Sequence, residues 1–180
     1  MKVFETSLEG CYLIEPQLFH DERGFFMEAF NQKKLNKLIG NNINFVQDNL
    51  SFSKKNVLRG LHYQTGSSSQ AKLVTVLSGK VLDVIVDLRN NSKTFGKHFK
   101  IELSSDNNKQ LFIPRGFAHG FLVLSDIAVF SYKCDNFYNK DSESGIIFND
   151  SDLAIDWGIA INNAILSEKD LCLPNFNNVF

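Results

Sequence analysis

Two histidines stand in settings that suit proton transfer. His62 lies in Val57-Leu58-Arg59-Gly60-Leu61-His62-Tyr63-Gln64, and His119 in Ile113-Pro114-Arg115-Gly116-Phe117-Ala118-His119-Gly120-Phe121. Each imidazole sits in an apolar run, with an arginine three or four residues earlier and glycine close by. Imidazole titrates near neutral pH, so a sheltered histidine of this kind fits general acid–base chemistry. A core histidine satisfied by hydrogen bonds explains either segment alone. Two such segments in one small domain bring the functional reading level with the bland one. His20, in the polar stretch Phe19-His20-Asp21-Glu22-Arg23-Gly24, and His98, near Lys97 and Lys100, read as surface residues.

These side chains need a scaffold, and the pattern is that of strands. Residues 72–88, KLVTVLSGKVLDVIVDL, read as a strand, a Ser78-Gly79 turn and a second strand with Asp83 and Asp87 among its apolar positions. Shorter alternating runs fall at 10–15, 99–103, 110–113, 120–124 and 128–133, and clusters of Asn, Ser and Asp separate them. Strands at this spacing predict an antiparallel sandwich or barrel rather than a βαβ fold. One helix is expected at Gln32–Ile39, with Leu35, Leu38 and Ile39 on a shared face. Residues 66–69 read as a loop, and the Asn-rich tail 175–180 as loosely held. The 180 residues show no repeat or linker, which predicts a single domain over 1–180.

Composition narrows the function classes. Hydrophobic residues make up 43% and charged residues 22%, the balance of a folded globular chain. Lys plus Arg number 19 against 20 Asp plus Glu, a net charge of -1 that leaves no basic excess for a nucleic-acid backbone. An anionic ligand must then be met by a few placed cations. The first residues, Met1 to Thr6, lack the apolar run of a signal peptide, and no stretch is apolar over the ~18 residues a membrane span requires. Cys11, Cys134 and Cys172 are odd in number and form no C-x-x-C, which argues against a disulfide framework or zinc knot and for a reducing cytoplasm. Most of the 17 phenylalanines are expected in the core, with an aromatic surplus available as a stacking surface.

The spacing of Pro114, Gly116 and His119 resembles the second motif of the cupin β-barrels. Metal-binding cupins add an earlier His-x-His and a Glu. Here His62 is followed two residues on by Gln64, so a metal-independent cupin is the better reading. A longer ordered set of blocks is more specific. It runs through Asp21 to Glu28, Gln47 to Ser53, Leu58 to Gln64, Gln70 to Val74, Asp87-Leu88-Arg89, Thr94-Phe95-Gly96 and Ile113 to Phe121. It ends with Tyr132-Lys133-Cys134, Tyr138, Glu143, Asp156-Trp157 and Leu166 to Asp170. On these blocks the chain resembles the dTDP-4-dehydrorhamnose 3,5-epimerase family. It departs at Gly66 and its serines, Lys93, Phe148 and Gly158, all outside the residues of the reaction.

The resemblance implies a cupin-like antiparallel β-barrel of jelly-roll form with a few short helices. It also implies a cofactor-free isomerase, with no metal, that inverts C3 and C5 of dTDP-4-dehydro-6-deoxy-D-glucose through an enolate. His62 matches the base, oriented and polarised by Asp170; Tyr132 matches the proton donor on the opposite face, and Lys72 the cation at the C4 oxygen. Arg23 and Arg59 match the diphosphate partners, while Glu28, Gln47 and Asn49 match contacts to the thymidine end. Phe26 or Tyr138 would stack on thymine, His119 would line the sugar pocket, and Glu143 and Lys169 fall at further binding positions. Arg89 reads as structural. Family members are homodimers, so Arg23 to Glu28 would complete the neighbour's pocket. The competing readings are a C3-only epimerase, a metal-dependent cupin enzyme and a noncatalytic sugar-binding cupin.

Overall fold

The period-two pattern of the sequence resolves, in a computed structural model describing residues 1–179, into two antiparallel sheets laid face to face. In chain order the first elements are β1 (Lys2–Glu5), β2 (Tyr12–Glu15), β3 (Leu18–Asp21), β4 (Gly24–Met27), α1 (Gln32–Ile39), β5 (Gln47–Lys54) and β6 (Leu58–Gln64). Then come β7 (Lys72–Ser78), β8 (Lys80–Asp87), β9 (His98–Ser104), β10 (Gln110–Ile113), β11 (Phe117–Val123), β12 (Ile127–Cys134), β13 (Glu143–Gly145) and α2 (Glu168–Leu171). One sheet has the order β1-β2-β10-β7-β12-β5 and the other β13-β6-β11-β8-β9, while β3 and β4 pair as a separate hairpin. This is the jelly-roll arrangement expected, and every strand pairing in it is antiparallel.

Alternation along each strand supplies two faces, and the chain covers both. Between the sheets lies an apolar core built on Val74, Val76, Ile85, Leu111, Phe121 and Phe130. The outer face of the five-stranded sheet, with Leu58, Leu61, Val84 and Leu122, is covered by Ile146, Phe148, Leu153 and Trp157 of the C-terminal segment. The outer face of the six-stranded sheet, with Ile14, Leu73 and Phe112, receives Leu35 and Ile39 of α1. Asn31 caps that helix by accepting from the Lys34 amide at 3.0 Å, and Gly40 ends it in the left-handed region. Among the described residues no helix is long and apolar enough to cross a membrane.

Three expectations need correction. Leu38 is exposed, because the helix buries only the i, i+4 pair Leu35 and Ile39. His98 is half-buried on β9, where it pairs with Val86. The tail is tied down over 175–179: the Phe176 amide donates to Asp150 Oδ2 at 2.8 Å and its ring packs 5.4 Å from Phe95. Phe180 lies outside the described residues.

One local feature of β6 decides where the chemistry can be placed. His62 faces His119 across the ladder, and Arg59 faces Phe121, so three steps on β6 match two on β11. The extra residue falls at Gly60-Leu61. Gly60 has φ +124, and a Cβ there would come within 2.5 Å of Gly120 Cα, so glycine is required for the two backbones to approach. The bulge rephases the strand. Leu58 and Leu61 point to the outer cluster, while Arg59 and His62 both point inward.

Candidate active site

At one end of the barrel the inward side chains turn polar and surround a cavity of about 490 Å³. His62, Tyr132, Asp170, Lys72, Gln47, Asn49, Arg59, His119, Tyr138, Glu143 and Lys169 all line it. The structure does not bring Arg23, Phe26 and Glu28 there. Arg23 lies on the exposed β3–β4 hairpin paired with Asp21, Phe26 is 69% exposed, and Glu28 bonds Lys34 at 2.8 Å. Arg89 is structural: it pairs with buried Asp87 at 2.7 Å and lies over the Phe117 ring.

His62 and Asp170 are 108 residues apart in sequence, yet His62 Nε2 is 2.5 Å from Asp170 Oδ1. The C-terminal segment delivers the carboxylate on the first turn of α2. There Ser167 caps the helix: its hydroxyl accepts from the Asp170 amide at 3.2 Å and donates to Asp170 Oδ2 at 2.8 Å. Burial by itself would raise the Asp170 carboxyl. The hydrogen bond and charge of His62, together with the bonds to Ser167, outweigh that and hold it below the usual carboxylate range. With Nε2 committed to the carboxylate, Nδ1 is the ring nitrogen left for a proton from a ligand.

Tyr132 and Lys72 come from the facing sheet, on adjacent strands β12 and β7. The Tyr132 hydroxyl is pushed up from its ordinary range, mainly by burial, with Cys134 and Glu143 adding to the rise and Arg59 opposing it, so it stays protonated at neutral pH. Lys72 Nζ lies 6.0 Å from the Tyr132 ring centre. Burial lowers its ammonium, while Cys134, Asp83 and Glu143 pull in the opposite sense. A cavity with an imidazole–carboxylate pair on one wall and a phenol beside an ammonium on the other can take a proton from one face of a carbon acid. It can return one from the opposite face and stabilise an enolate oxygen between the two steps.

The binding positions are also built from strand alternation. On β5, Gln47, Asn49, Ser51 and Ser53 point inward while Leu50 and Phe52 point out, an inversion of the usual pattern because the inner face meets the cavity. Gln47 Oε1 accepts from the Tyr138 amide at 2.9 Å, and Gln47 Nε2 donates to Asn49 at 3.0 Å. Tyr138 donates its hydroxyl to Glu143 at 2.7 Å, and Glu143 also pairs with Lys169. Burial would raise Glu143, but the bonds from Lys169 and Tyr138 and the nearby charges hold it low.

Sequence reasoning passed over Ser51, Gln64, Asp83 and Ser167. Gln64 Oε1 accepts from the Asn139 amide at 2.9 Å, and Asp83 holds His119 at 2.9 Å. The Ser51 hydroxyl is buried without a hydrogen-bond partner among the described residues. A signal existed for Ser167, since Ser-x-x-Asp is a helix-capping pattern. Among the described residues no group of three or more His, Cys, Asp or Glu side chains is arranged to hold a metal ion.

The family model described as dTDP-4-dehydrorhamnose 3,5-epimerase matches residues 5–178. The enzyme of that name from Escherichia coli K12 is 53% identical over 170 residues, covering 94% of this chain and 91% of that protein. A crystal structure of dTDP-4-dehydrorhamnose 3,5-epimerase from Elizabethkingia anophelis superposes with a TM-score of 0.95 at 59% identity, covering 99% and 97% of the two chains. A dTDP-6-deoxy-D-glucose-3,5-epimerase from Legionella pneumophila, solved with dTDP-4-keto-L-rhamnose, gives a TM-score of 0.95 at 46% identity over 99% and 94%. By the match of the family model along nearly the whole chain, this chain belongs to the dTDP-4-dehydrorhamnose 3,5-epimerase family.

Proposed function

We propose that this protein is an isomerase that inverts C3 and C5 of dTDP-4-dehydro-6-deoxy-D-glucose to give dTDP-4-dehydro-L-rhamnose, a step of deoxysugar biosynthesis. The observation that carries the reading is the His62–Asp170 pair on one cavity wall with Tyr132 on the other. His62 takes the proton next to the C4 ketone, and the ionised Asp170 stabilises the imidazolium that forms. The enolate oxygen lies toward Lys72, whose ammonium offsets its charge. Tyr132 then protonates the carbon from the far side, which inverts it. Each inversion leaves a proton on His62 and takes one from Tyr132, and exchange with solvent resets both groups, so the steps balance without a cofactor.

Arg59 is the anchor for the diphosphate. Arg23, Arg89 and Arg115 are each paired with an aspartate, whereas among the described residues Arg59 has no carboxylate partner. Gln47, Asn49 and the half-exposed Tyr138 ring lie where a thymine would be held and stacked, with Glu143 and Lys169 bracing that rim. Arg23, Phe26 and Glu28 serve the neighbouring subunit's cavity in a homodimer. The outward face of β5 supports that assembly, since Leu50 is 65% and Phe52 56% exposed. The three cysteines are free thiols, which suits a reducing cytoplasm.

The test is a proton NMR time course with dTDP-4-dehydro-6-deoxy-D-glucose in deuterated buffer. Deuterium should enter C3 and C5 and the doubly inverted sugar should form; inversion at C3 alone would give the C3-only epimerase instead. In Tyr132→Phe, exchange should persist better than inversion at C5. Formation of the doubly inverted sugar at the wild-type rate would remove Tyr132 as the donor.

A further inference from the structure

We propose that Ser53 is the positioning residue of the diphosphate site: it fixes the guanidinium of Arg59 so that the free N–H groups meet the substrate already oriented. This rests on the nucleotide-sugar reading above. Arg59 Nε donates to Ser53 Oγ at 3.1 Å, and Ser53 is buried at the end of the inward polar strip of β5. Ser53 pairs across the ladder with Ala128, whose side chain belongs to the apolar core, so the hydroxyl stands at the boundary between core and cavity.

The choice of a neutral partner matters. The other three arginines bond to Asp21, Asp87 and Asp135, and each loses much of its positive field to that carboxylate. A serine accepts one hydrogen bond and leaves the charge intact. A guanidinium has five N–H donors; with Nε held by Ser53, the two terminal nitrogens remain for a two-pronged contact to phosphate oxygens. Holding the long side chain in place beforehand removes an ordering cost from binding. The bulge at Gly60-Leu61 and the hydroxyl of Ser53 thus act together: one turns Arg59 inward, the other sets its plane.

The experiment uses the full-length protein and the variants Ser53→Ala, Arg59→Ala and the double variant, with calorimetric binding of dTDP and of thymidine and steady-state kinetics on the dTDP-sugar. Ser53→Ala should weaken dTDP about 10- to 100-fold, the scale of one hydrogen bond to a charged group, and raise KM by a similar factor. Its kcat should stay within about two-fold, thymidine binding should not change, and the loss should vanish in the Arg59→Ala background. Ser53→Cys, of similar volume, repeats the measurement should the alanine variant prove unstable. Wild-type dTDP affinity in these variants, an equal loss for thymidine, or an undiminished loss without Arg59 would each overturn the proposal. Failure of the wild type to bind dTDP would instead overturn the nucleotide-sugar reading on which it rests.

Discussion

His62 and His119 are cross-strand partners on β6 and β11, yet their carboxylates come from different distances and leave them in different states. Asp170 reaches His62 from a C-terminal helix turn, and the His62 side chain keeps 31% of its exposure toward the cavity. Asp83 reaches His119 from the adjoining strand β8, where both side chains are buried, at 7% and 0%. The His119 ring also stacks against Phe130 at 5.9 Å. Asp170 has a second partner in Ser167, whereas Asp83 Oδ1 is buried with none among the described residues. A carboxylate brought over the rim steadies a histidine while leaving one ring edge open, which a base requires. A carboxylate from the neighbouring strand makes a polar strut in the wall.

The contrast predicts that breaking the first pair costs chemistry and breaking the second costs stability. His62→Ala should lower turnover and deuterium exchange by ~10²–10⁴-fold, the span of a positioned general base, with a melting temperature close to wild type because Asp170 keeps Ser167. Wild-type exchange in the folded variant would sink the assignment. His119→Ala should lose less rate but about 3 kcal/mol of stability in urea unfolding, since it strands Asp83 in the interior. A loss under about 1 kcal/mol would mean that Asp83 does not depend on the ring.

Asp87, four residues along β8 from Asp83, sharpens the comparison because its partner is a permanent cation. Burial would raise its carboxyl, but bonds from Arg89, Ser92 and Thr94 bring it down to about 2. A carboxyl depressed below its unfolded value of 3.8 adds stability that is fully present above that pH and is lost as pH falls toward 2. The loss should amount to about 2 kcal/mol and should disappear from the acid unfolding curve of Asp87→Asn. The smallest effect expected is that of Ser167→Ala, about 1 kcal/mol from the lost cap, with kcat reduced a few-fold because Asp170 is less well held. A kcat equal to wild type would show that His62 alone orients the carboxylate.

Much of this molecule was legible in one dimension. The alternation over 72–88 marked β7, the Ser78-Gly79 turn and β8, and the shared face of Leu35, Leu38 and Ile39 marked α1, although only Leu35 and Ile39 are buried. Those signals are local, set by side-chain period and backbone preference within a few residues. The ordered blocks likewise marked eleven residues that line the cavity, along with Arg23, Phe26 and Glu28, which lie outside it. Period two names which residues share a face without saying which face is inside, so the polar strip of β5 reads as a solvent side until the opposite sheet closes over it. Unbroken alternation would also set Arg59 and His62 on opposite faces, and only the bulge against Gly120 turns both inward. The pairing of His62 with Asp170 spans 108 residues, and no local preference specifies it. It exists because the C-terminal segment packs its apolar side chains over the five-stranded sheet and so carries α2 to the cavity rim.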